Sequence, residues 1–250
     1  MTTAAFSRPT DLGWQNRDAL RAMQTRLLNE HLRHCRQHSP FYRKLLAGLP
    51  ERDLTLEDLS QLPTTSKQDL SLHNQDFIAQ GQQAADLCFT SGTTGTPCQI
   101  AYSQRDLDRL AYNDAVGFLA AGFLPGQRIL LTCTIDRCFI AGLAYYRGVV
   151  AMNAAAIRNG LNTIESHAQI ISALRPEGIV GVPSFLAKLG AHLAEQGVDA
   201  SSVKKIVCIG EPIRRQDMSL TPLGQKLETF WPEAAHSTYA SSEIATSFTE

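Results

Sequence analysis

Short apolar runs separated by longer amphipathic segments restrict the fold of this chain more than any other feature. The runs at 129–132, 178–182 and 205–209 are partly β-branched and bounded by Gly, Pro or charged residues, which is typical of buried strands in a parallel sheet. Helical patterns precede and separate them, at 104–121, 139–150, 163–174 and 183–196. The alternation predicts an α/β fold, in which a mostly parallel sheet is flanked by helices.

The N-terminal third has a different pattern and predicts a helical lead. Apolar residues within 18–38 recur mostly at spacings of three and four, which indicates one buried face of a helix. Ser39-Pro40 ends this helix, and Ser66 is a candidate N-cap of a later one. We therefore expect two regions: a helical lead at 1–85 that packs on the core, and an α/β region at 86–250.

Charge and composition exclude several classes of protein. The 250 residues carry a formal net charge of −1, so nothing favours nucleic acid or an anionic membrane as a partner. The N-terminus has no secretory signal pattern, and no apolar segment reaches the roughly 18 residues that a membrane span needs. Six scattered cysteines without a C-x-x-C pair argue against a disulfide framework or a zinc site. We expect a cytoplasmic protein with no nucleic-acid or membrane partner.

The segment TSGTTGTP at 90–97 follows a short, largely apolar stretch at 86–89 that suits a strand end. Its two glycines permit backbone conformations closed to other residues, so successive N–H groups can converge on an anion. Its five hydroxyls add further donors, and such a surface fits polyphosphate. On composition alone, a solvent loop rich in Ser, Thr and Gly is an equal alternative. The segment lacks the lysine of a Walker A loop and the glycine spacing of the dinucleotide fingerprint.

Two motifs in the same chain are more specific than either alone. TSGTTGTP resembles the phosphate loop of the adenylate-forming superfamily, which includes acyl-CoA synthetases, peptide-synthetase adenylation domains and luciferases. YASSE at 239–243 is similar to the Y-G-x-[ST]-E motif of that superfamily. HCRQHSPFYRKLL, LPTTSKQDL, GVPSFLAKL and CIGEPI each resemble the branch of phenylacetate–CoA ligases and coenzyme F390 synthetase-like proteins. The resemblance covers nearly the whole chain.

This resemblance implies the activation of a carboxylic acid by ATP. The acid attacks the α-phosphorus of ATP to give an acyl-adenylate and pyrophosphate, and a thiol such as CoA then displaces AMP. The implied cofactors are ATP and Mg²⁺, and the implied partner is a small-molecule carboxylic acid. A non-catalytic nucleotide-binding or assembly module that has kept the fold is the alternative.

The same resemblance implies that the region 86–250 is the AMP-binding region. It also assigns the residues that contact the nucleotide. The residues expected to hold the β- and γ-phosphates are Thr90, Ser91, Gly92, Thr93, Thr94, Gly95 and Thr96. Ser242 would contact the α-phosphate, Glu243 would ligate Mg²⁺, and Tyr239 would lie against the adenine. The other wall of the adenine pocket would be Gly210, Glu211 and Pro212. The expected catalytic residues are thus Thr93, Ser242 and Glu243.

The resemblance also places an acyl pocket, around Phe139, Ala141, Gly142 and Phe185. The nucleotide candidates have ordinary explanations as well: Glu243 as a surface carboxylate, Tyr239 as a core aromatic and 210–212 as a turn. The chain departs from the wider superfamily at Cys98, where a lysine is usual. It departs again at Ala240, where the usual glycine would allow a wider range of backbone angles.

The sequence stops shortly after Glu243, whereas family members continue through a ribose-binding aspartate, a hinge and a small C-terminal domain with the adenylation lysine. We expect that C-terminal domain to be absent from these residues. Three explanations stay open: a fragment of a longer enzyme, one half that a second chain completes, or an inactive relic. A sheet cut near its middle exposes strand edges, which favours self-association or a second chain.

Overall fold

The computed structural model describes residues 16–50, 52–90, 97–244 and 246–249. The chain divides into two compact units, one comprising Ser7–Gln104 and the other containing Arg105–Glu250. None of the described helices is long and apolar enough to cross a membrane.

The unit Ser7–Gln104 begins with helices, as the sequence predicts. Helix α1 spans Arg17–His38 and starts at Asn16, whose side chain accepts hydrogen bonds from two backbone N–H groups of the first turn. Ser39 ends α1, and its hydroxyl caps α2 (Pro40–Leu45). The buried core of this part is formed by Leu32, Leu46 and Leu54.

Two short helices follow in the same unit. After a 3₁₀ turn at Glu57–Gln61, α3 spans Lys67–Leu72 and α4 spans Asn74–Phe77. The predicted cap is confirmed, because Ser66 and Asp69 form a capping box in which each side chain accepts from the backbone N–H of the other residue.

A two-stranded antiparallel hairpin completes this unit. Strand β1 spans Asp86–Phe89 and β2 spans Gln99–Tyr102, with Phe89 opposite Gln99. The predicted strand end ahead of the 90–97 segment is therefore confirmed. Residues 91–96 lie outside the described residues.

The second unit is built on a sheet with six described strands in the order β4-β3-β5-β6-β7-β8. The strands are β3 (Arg128–Leu131), β4 (Ala155–Arg158), β5 (Gly178–Gly181), β6 (Lys205–Cys208), β7 (Ala235–Ser241) and β8 (Thr246–Thr249). The first five in this order run parallel, and β8 pairs antiparallel with β7. The three predicted strands are confirmed as β3, β5 and β6, so the predicted α/β fold class is correct.

Five helices cover the sheet: α5 (Gln104–Ala120), α6 (Ile140–Ala151), α7 (Ile164–Leu174), α8 (Pro183–Glu195) and α9 (Pro222–Phe230). Four of them confirm the predicted helices to within one residue at each end. Alternate strand residues face opposite sides of the sheet. Leu130, Ile179 and Ile206 pack with α7, α8 and α9, whereas Ile129, Val180 and Val207 pack with α5 and α6. Each face of the sheet thus has its own apolar core.

The strand order locates the place where a ligand is expected. Strand β4 lies on one side of β3, and β5 lies on the other, so the direction of winding switches between β3 and β5. Open parallel sheets bind ligands in the crevice outside the carboxyl ends of their strands, near such a switch point. The candidate site should therefore be sought at the carboxyl edge of this sheet.

Candidate functional site at the carboxyl edge of the sheet

The sequence-predicted residues of the second unit follow the carboxyl ends of different strands. Phe139, Ala141 and Gly142 follow β3, Phe185 follows β5, and 210–212 follow β6. The YASSE motif occupies the end of β7 and the 3₁₀ turn Ser242–Ile244 behind it. Because the carboxyl ends of parallel strands meet at one edge, the fold brings both predicted pockets to the same side of the sheet.

A hydrogen-bonded pair joins the segments that follow β5 and β6. The backbone N–H of Ser184 donates to Glu211 Oε2 at 2.8 Å, and the Ser184 hydroxyl donates to Glu211 Oε1 at 2.9 Å. Ser184 lies in the first turn of α8, so the carboxylate also interacts with the positive end of the helix. The pair holds the predicted adenine wall against the start of α8. Ser184 is the partner that explains why an acidic residue stands at 211.

The 210–212 segment has the backbone of a turn as well as a place in the site. Gly210 has a φ of +76°, a conformation that glycine adopts without strain. Gly210 and Pro212 are exposed, whereas Glu211 is half-buried. The backbone of a turn in this position can contact a flat ligand. The explanation of 210–212 as a turn is therefore compatible with its predicted role as a wall of the adenine pocket.

The predicted acyl-pocket residues have unequal surroundings. Phe139 is 40% exposed just ahead of α6, and Phe185 is half-buried with its ring 5.1 Å from that of His167. Ala141 packs against the core. A Cβ added at Gly142 would lie 1.8 Å from the backbone oxygen of Thr134, so this glycine is required for close packing of α6 against the preceding loop.

The YASSE motif is accessible at the end of β7. Tyr239 is 69% exposed, which excludes the explanation of a core aromatic. Glu243 is exposed, and its Oε2 accepts a hydrogen bond of 2.5 Å from the Ser241 hydroxyl. Ala240 lies within β7 and is not among the residues with positive φ. The backbone at 240 therefore has no need of the glycine that is usual in the superfamily.

The predicted phosphate segment belongs to the unit Ser7–Gln104, and of its residues only Thr90 is described. Thr90 is buried, its N–H donates to the oxygen of Cys98 at 3.0 Å, and its Oγ1 accepts from the N–H of Cys98 at 3.1 Å. Ser91, Gly92, Thr93, Thr94, Gly95 and Thr96 lie outside the described residues. The Thr90–Cys98 pair thus closes the hairpin at the point where this segment begins and ends.

An asparagine side chain fixes the second strand of that hairpin. Asn74 Nδ2 donates to the oxygen of Gln99 at 2.9 Å, and Asn74 Oδ1 accepts from the N–H of Gln99 at 3.0 Å. The amide side chain thus pairs with the backbone as a neighbouring strand would. Cys98, which replaces the usual lysine, is 2% exposed and acts as a small buried residue at the base of the hairpin.

The magnesium implied by the resemblance fits the groups present. Among the described residues no cluster of three or more His, Cys, Asp or Glu side chains could hold a metal on its own. Mg²⁺, however, is commonly held by one or two carboxylates together with phosphate oxygens of the substrate and water. The exposed carboxylate of Glu243 is suited to be such a single protein ligand.

Two buried side chains of this unit, Cys133 and Tyr145, do not ionise readily. Burial raises the pKa of the Cys133 thiol to about 12, and burial together with the charge of Asp114 raises the pKa of Tyr145. Sequence patterns alone assign no function to Asp114 or Thr238. An acidic residue on the apolar face of a predicted helix was the one available signal for Asp114.

Comparison with known proteins is consistent with this geometry. A family model for AMP-binding enzyme matches residues 27–249. The chain is 33% identical over 190 residues to phenylacetate-coenzyme A ligase of Escherichia coli, a match that covers 74% of this chain and 43% of that protein. It is 32% identical over 211 residues to phenylacetate-coenzyme A ligase of Thermus thermophilus, a match that covers 80% of this chain and 47% of that protein. The chain thus spans about half the length of these relatives.

The fold is shared with solved ligases of lower sequence identity. A structure of 2-hydroxyisobutyryl-CoA ligase in an open conformation, in complex with 2-HIB-AMP and CoA, matches with a TM-score of 0.83. The identity is 17%, and the match covers 98% of this chain and 60% of that one. Together with the family model, which spans both motifs, these comparisons show that the chain belongs to the AMP-binding enzyme family and is a distant relative of the phenylacetate–CoA ligases.

Proposed function

We propose that the protein takes part in ATP-dependent activation of a carboxylic acid as an acyl-adenylate, followed by transfer to a thiol such as CoA. The observation that carries the proposal is the exposed Tyr239–Glu243 segment at the carboxyl edge of the sheet, on the same edge as the Ser184–Glu211 pair. An exposed ring, a half-buried hydroxyl and an exposed carboxylate follow one another there, and these groups are suited to contact the base, a phosphate and the divalent cation of a nucleoside triphosphate.

The residues have distinct roles in this proposal. The ring of Tyr239 packs against the adenine, and Gly210, Glu211 and Pro212 form the facing wall. Ser242 donates a hydrogen bond to the α-phosphate, while the 90–96 segment binds the β- and γ-phosphates through its N–H groups and hydroxyls. Placed in this way, the nucleotide presents its α-phosphorus to the carboxylate of the acid. The main contribution of the protein is then positioning and neutralisation of charge.

Glu243 is the proposed protein ligand of Mg²⁺. When bound, the metal neutralises negative charge on the phosphate oxygens and thereby assists departure of pyrophosphate. The hydroxyl of Ser241, which donates to Glu243 Oε2, orients the carboxylate. In the proposed reaction Ser242, Glu243 and Thr93 are the catalytic residues.

The proposed acid has an apolar body. Phe139, Ala141 and Phe185 supply apolar surface near the switch point of the sheet, and Gly142 lets α6 approach closely enough to form one side of the pocket. Two relatives are phenylacetate-coenzyme A ligases, and the structure of a related fold contains 2-HIB-AMP and CoA. Both facts support an acyl-adenylate and a CoA thioester as the chemical class of intermediate and product.

Nucleotide binding by this chain is the first test, because it does not require the remainder of the relatives' length. Thermal unfolding is measured with and without Mg-ATP for the parent chain, for Glu243→Ala, and for a variant with Thr93 and Thr94 both changed to Val. A ligand that binds only the folded state at about a hundred times its Kd stabilises by about 2.7 kcal/mol. The matched control is Glu195→Ala, which removes an exposed carboxylate at the C-terminal end of α8.

We expect Mg-ATP to stabilise the parent and the control, and to lose this effect in both site variants. Equal stabilisation of all four proteins would place the nucleotide elsewhere. Acid-dependent exchange of pyrophosphate into ATP then separates the two candidate functions, because a non-catalytic binding or assembly module does not catalyse it. Binding without exchange would favour such a module for this chain.

A further inference from the structure

A cleft at the amino edge of the second unit's sheet has the character of a small-molecule pocket. Val203 and Lys204 directly precede β6, Ala234 directly precedes β7, and the last turns of α8 and α9 complete the lining. The volume of the cleft is about 430 Å³, which lies within the roughly 300–1,000 Å³ of pockets that hold small ligands. The cleft is thus at the opposite edge of the sheet from the candidate nucleotide site.

Most of the cleft wall is apolar. Phe230 ends α9, Trp231 follows it, and their rings pack edge-on with centroids 6.0 Å apart. Leu193 of α8 and Val198 in the loop behind it add aliphatic surface. A Cβ added at Gly190 of α8 would lie 2.6 Å from ring atoms of Phe230, so the two helices touch there. The wall is therefore built into the helix packing, and it suits a ligand with an apolar body.

Two polar groups of the wall are available to a ligand. Trp231 is 4% exposed, and its Nε1 has no hydrogen-bond partner among the described residues, although buried indole N–H groups usually have one. Lys204 is the one charged residue of the lining. Its side chain is exposed and forms no ion pair with a carboxylate of the described residues. The wall thus offers a donor and a positive charge.

The helix ends at the cleft have partners for their carbonyl groups. Three carbonyls in the last turn of α8 accept hydrogen bonds from the backbone N–H groups of 196–198. The oxygen of Trp231, directly after α9, accepts from the N–H of Ala234 at 3.3 Å. Because these bonds satisfy the negative ends of the helices, the charge of Lys204 dominates the cleft and favours an anion.

We propose that this cleft is a binding site for an apolar carboxylic acid. The body of the acid packs against Phe230, Trp231 and Leu193, and its carboxylate contacts the ammonium group of Lys204. Carboxylate oxygens are also acceptors of the kind that the Trp231 N–H lacks. The proposal does not rest on the proposed function, because the cleft contains none of the residues assigned to the nucleotide or to the activated acid.

The fluorescence of Trp231 reports directly on this cleft. Trp14 is the one other tryptophan of the chain, and it is changed to Phe in every protein so that Trp231 is the sole emitter. The probes are octanoate and octylamine, which share an apolar chain and carry opposite charges. We expect octanoate to change the fluorescence saturably, and octylamine to bind about fivefold more weakly or less.

A pair of lysine variants tests the role of the charge. Lys204→Met keeps the aliphatic stem and removes the ammonium group, so it should raise the Kd of octanoate about fivefold. Lys188→Met is the matched control, because Lys188 is an exposed lysine of α8 outside the lining, and it should leave Kd unchanged. Ala194→Phe adds a ring at an exposed position of the lining and should abolish the fluorescence change, while far-UV circular dichroism shows that the fold is kept.

Four results would overturn the proposal. The first is the absence of a saturable change in the folded protein, and the second is equal binding of the two probes. The third is an unchanged Kd in Lys204→Met. The fourth is a dimer, measured by sedimentation, that dissociates in Ala194→Phe, since it would assign the cleft to a second copy of the chain. Octanoate that binds by calorimetry without a change at Trp231 belongs to another site and counts as the first result.

Discussion

Two hairpins carry the two motifs of this chain, and they are held in different ways. The hairpin β1–β2, which we call the loop hairpin, is fixed by polar groups of its own unit: the Asn74 amide on Gln99 and the Thr90–Cys98 pair. The hairpin β7–β8, which we call the acidic hairpin, is fixed by its parallel neighbour β6, which pairs with Ala235, His236 and Ser237. One hairpin depends on side-chain hydrogen bonds within its own unit, and the other on the pairing of a parallel sheet.

The two hairpins are therefore vulnerable to different changes. A single hydrogen bond to a half-buried strand contributes little to the free energy of unfolding. Removing one partner, however, leaves the other polar group unsatisfied. A packed helix pair fails instead when volume is added, because protein interiors have few voids. Polar truncation should therefore loosen the loop hairpin, whereas overpacking beneath the sheet should loosen the acidic one. Two substitutions test that division, and two further ones measure smaller effects outside the hairpins.

Gly148→Ala should have the largest effect. The added methyl would overlap Asp114 and push α5 and α6 apart, so we expect a loss of about 3 kcal/mol in the free energy of unfolding. Urea unfolding with a probe in the sheet measures it. Gly48→Ala is the matched control, since a Cβ there meets nothing within 4 Å. Similar losses in the two variants would contradict the importance of the helix contact.

Asn74→Ala should lower the free energy that stabilises the loop hairpin by about 2 kcal/mol, because it leaves the backbone N–H and oxygen of Gln99 without their side-chain partner. The loss should be confined to the loop hairpin, with faster amide exchange in β2 and unchanged exchange in β7. Gln75→Ala is the control, as its side chain is exposed and donates to the side chain of Gln99. If Gln75→Ala loosens β2 equally, the polar contact of Asn74 has no special role.

Glu211→Gln should lower the free energy of unfolding by about 1 kcal/mol. This loss is smaller than those expected for Gly148→Ala and Asn74→Ala and larger than that expected for an exposed ion pair. The substitution keeps one acceptor for Ser184 but removes the negative charge from the start of α8. Thermal unfolding measures the loss, and Glu195→Gln at the other end of α8 serves as control. A larger loss in the control would exclude the helix-end interaction as the cause.

The smallest effect is expected at Arg128 and Glu177, at the amino end of β3 and far from the carboxyl edge. The hydrogen bond from Arg128 lowers the pKa of Glu177. The stabilisation is therefore present above the unfolded pKa of about 4.3 and disappears as pH falls through the lower folded value. Because the pair is partly exposed, Glu177→Gln should cost less than about 1 kcal/mol at neutral pH.

Unfolding of Glu177→Gln and the parent at pH 7 and pH 3 tests this sign. The difference between the two proteins should be present at pH 7 and smaller at pH 3. A difference that grows towards low pH would mean that the carboxylate destabilises the fold.

The sequence predicted the fold where burial imposes a pattern. Strands β3, β5 and β6 are covered on both faces, so their apolar runs are continuous and easily recognised. Strand β4 was missed, because at the edge of the sheet its AAIR sequence carries two exposed residues and no such run. Four of the five helices that cover the sheet were predicted to within a residue, whereas α9 (Pro222–Phe230) was not predicted from the sequence.

The candidate site was predictable as a set of motifs but not as a set of contacts. The segment around Glu211 could be placed after a predicted strand, whereas β7, which leads to Glu243, was not predicted from the sequence. The contact between Ser184 and Glu211 depends on how α8 is seated on the sheet, which no local pattern encodes. Tyr239 shows the limit of sequence-based prediction most clearly. The sequence allowed either an exposed ring or a core aromatic, and only the structure shows that the ring is exposed.

The order of the strands also has a consequence for synthesis of the chain. Strands β5, β6 and β7 join the same side of β3 one after another, in the order in which a ribosome releases them. Each parallel pair requires a complete crossover segment, so contacts are non-local and the sheet grows slowly. Until β7 has emerged, β6 presents an unpaired apolar edge with Ile206 and Val207. On the growing side of the sheet, the most recently added strand is therefore always the unpaired one. A chaperone or an aggregating neighbour would bind to that strand.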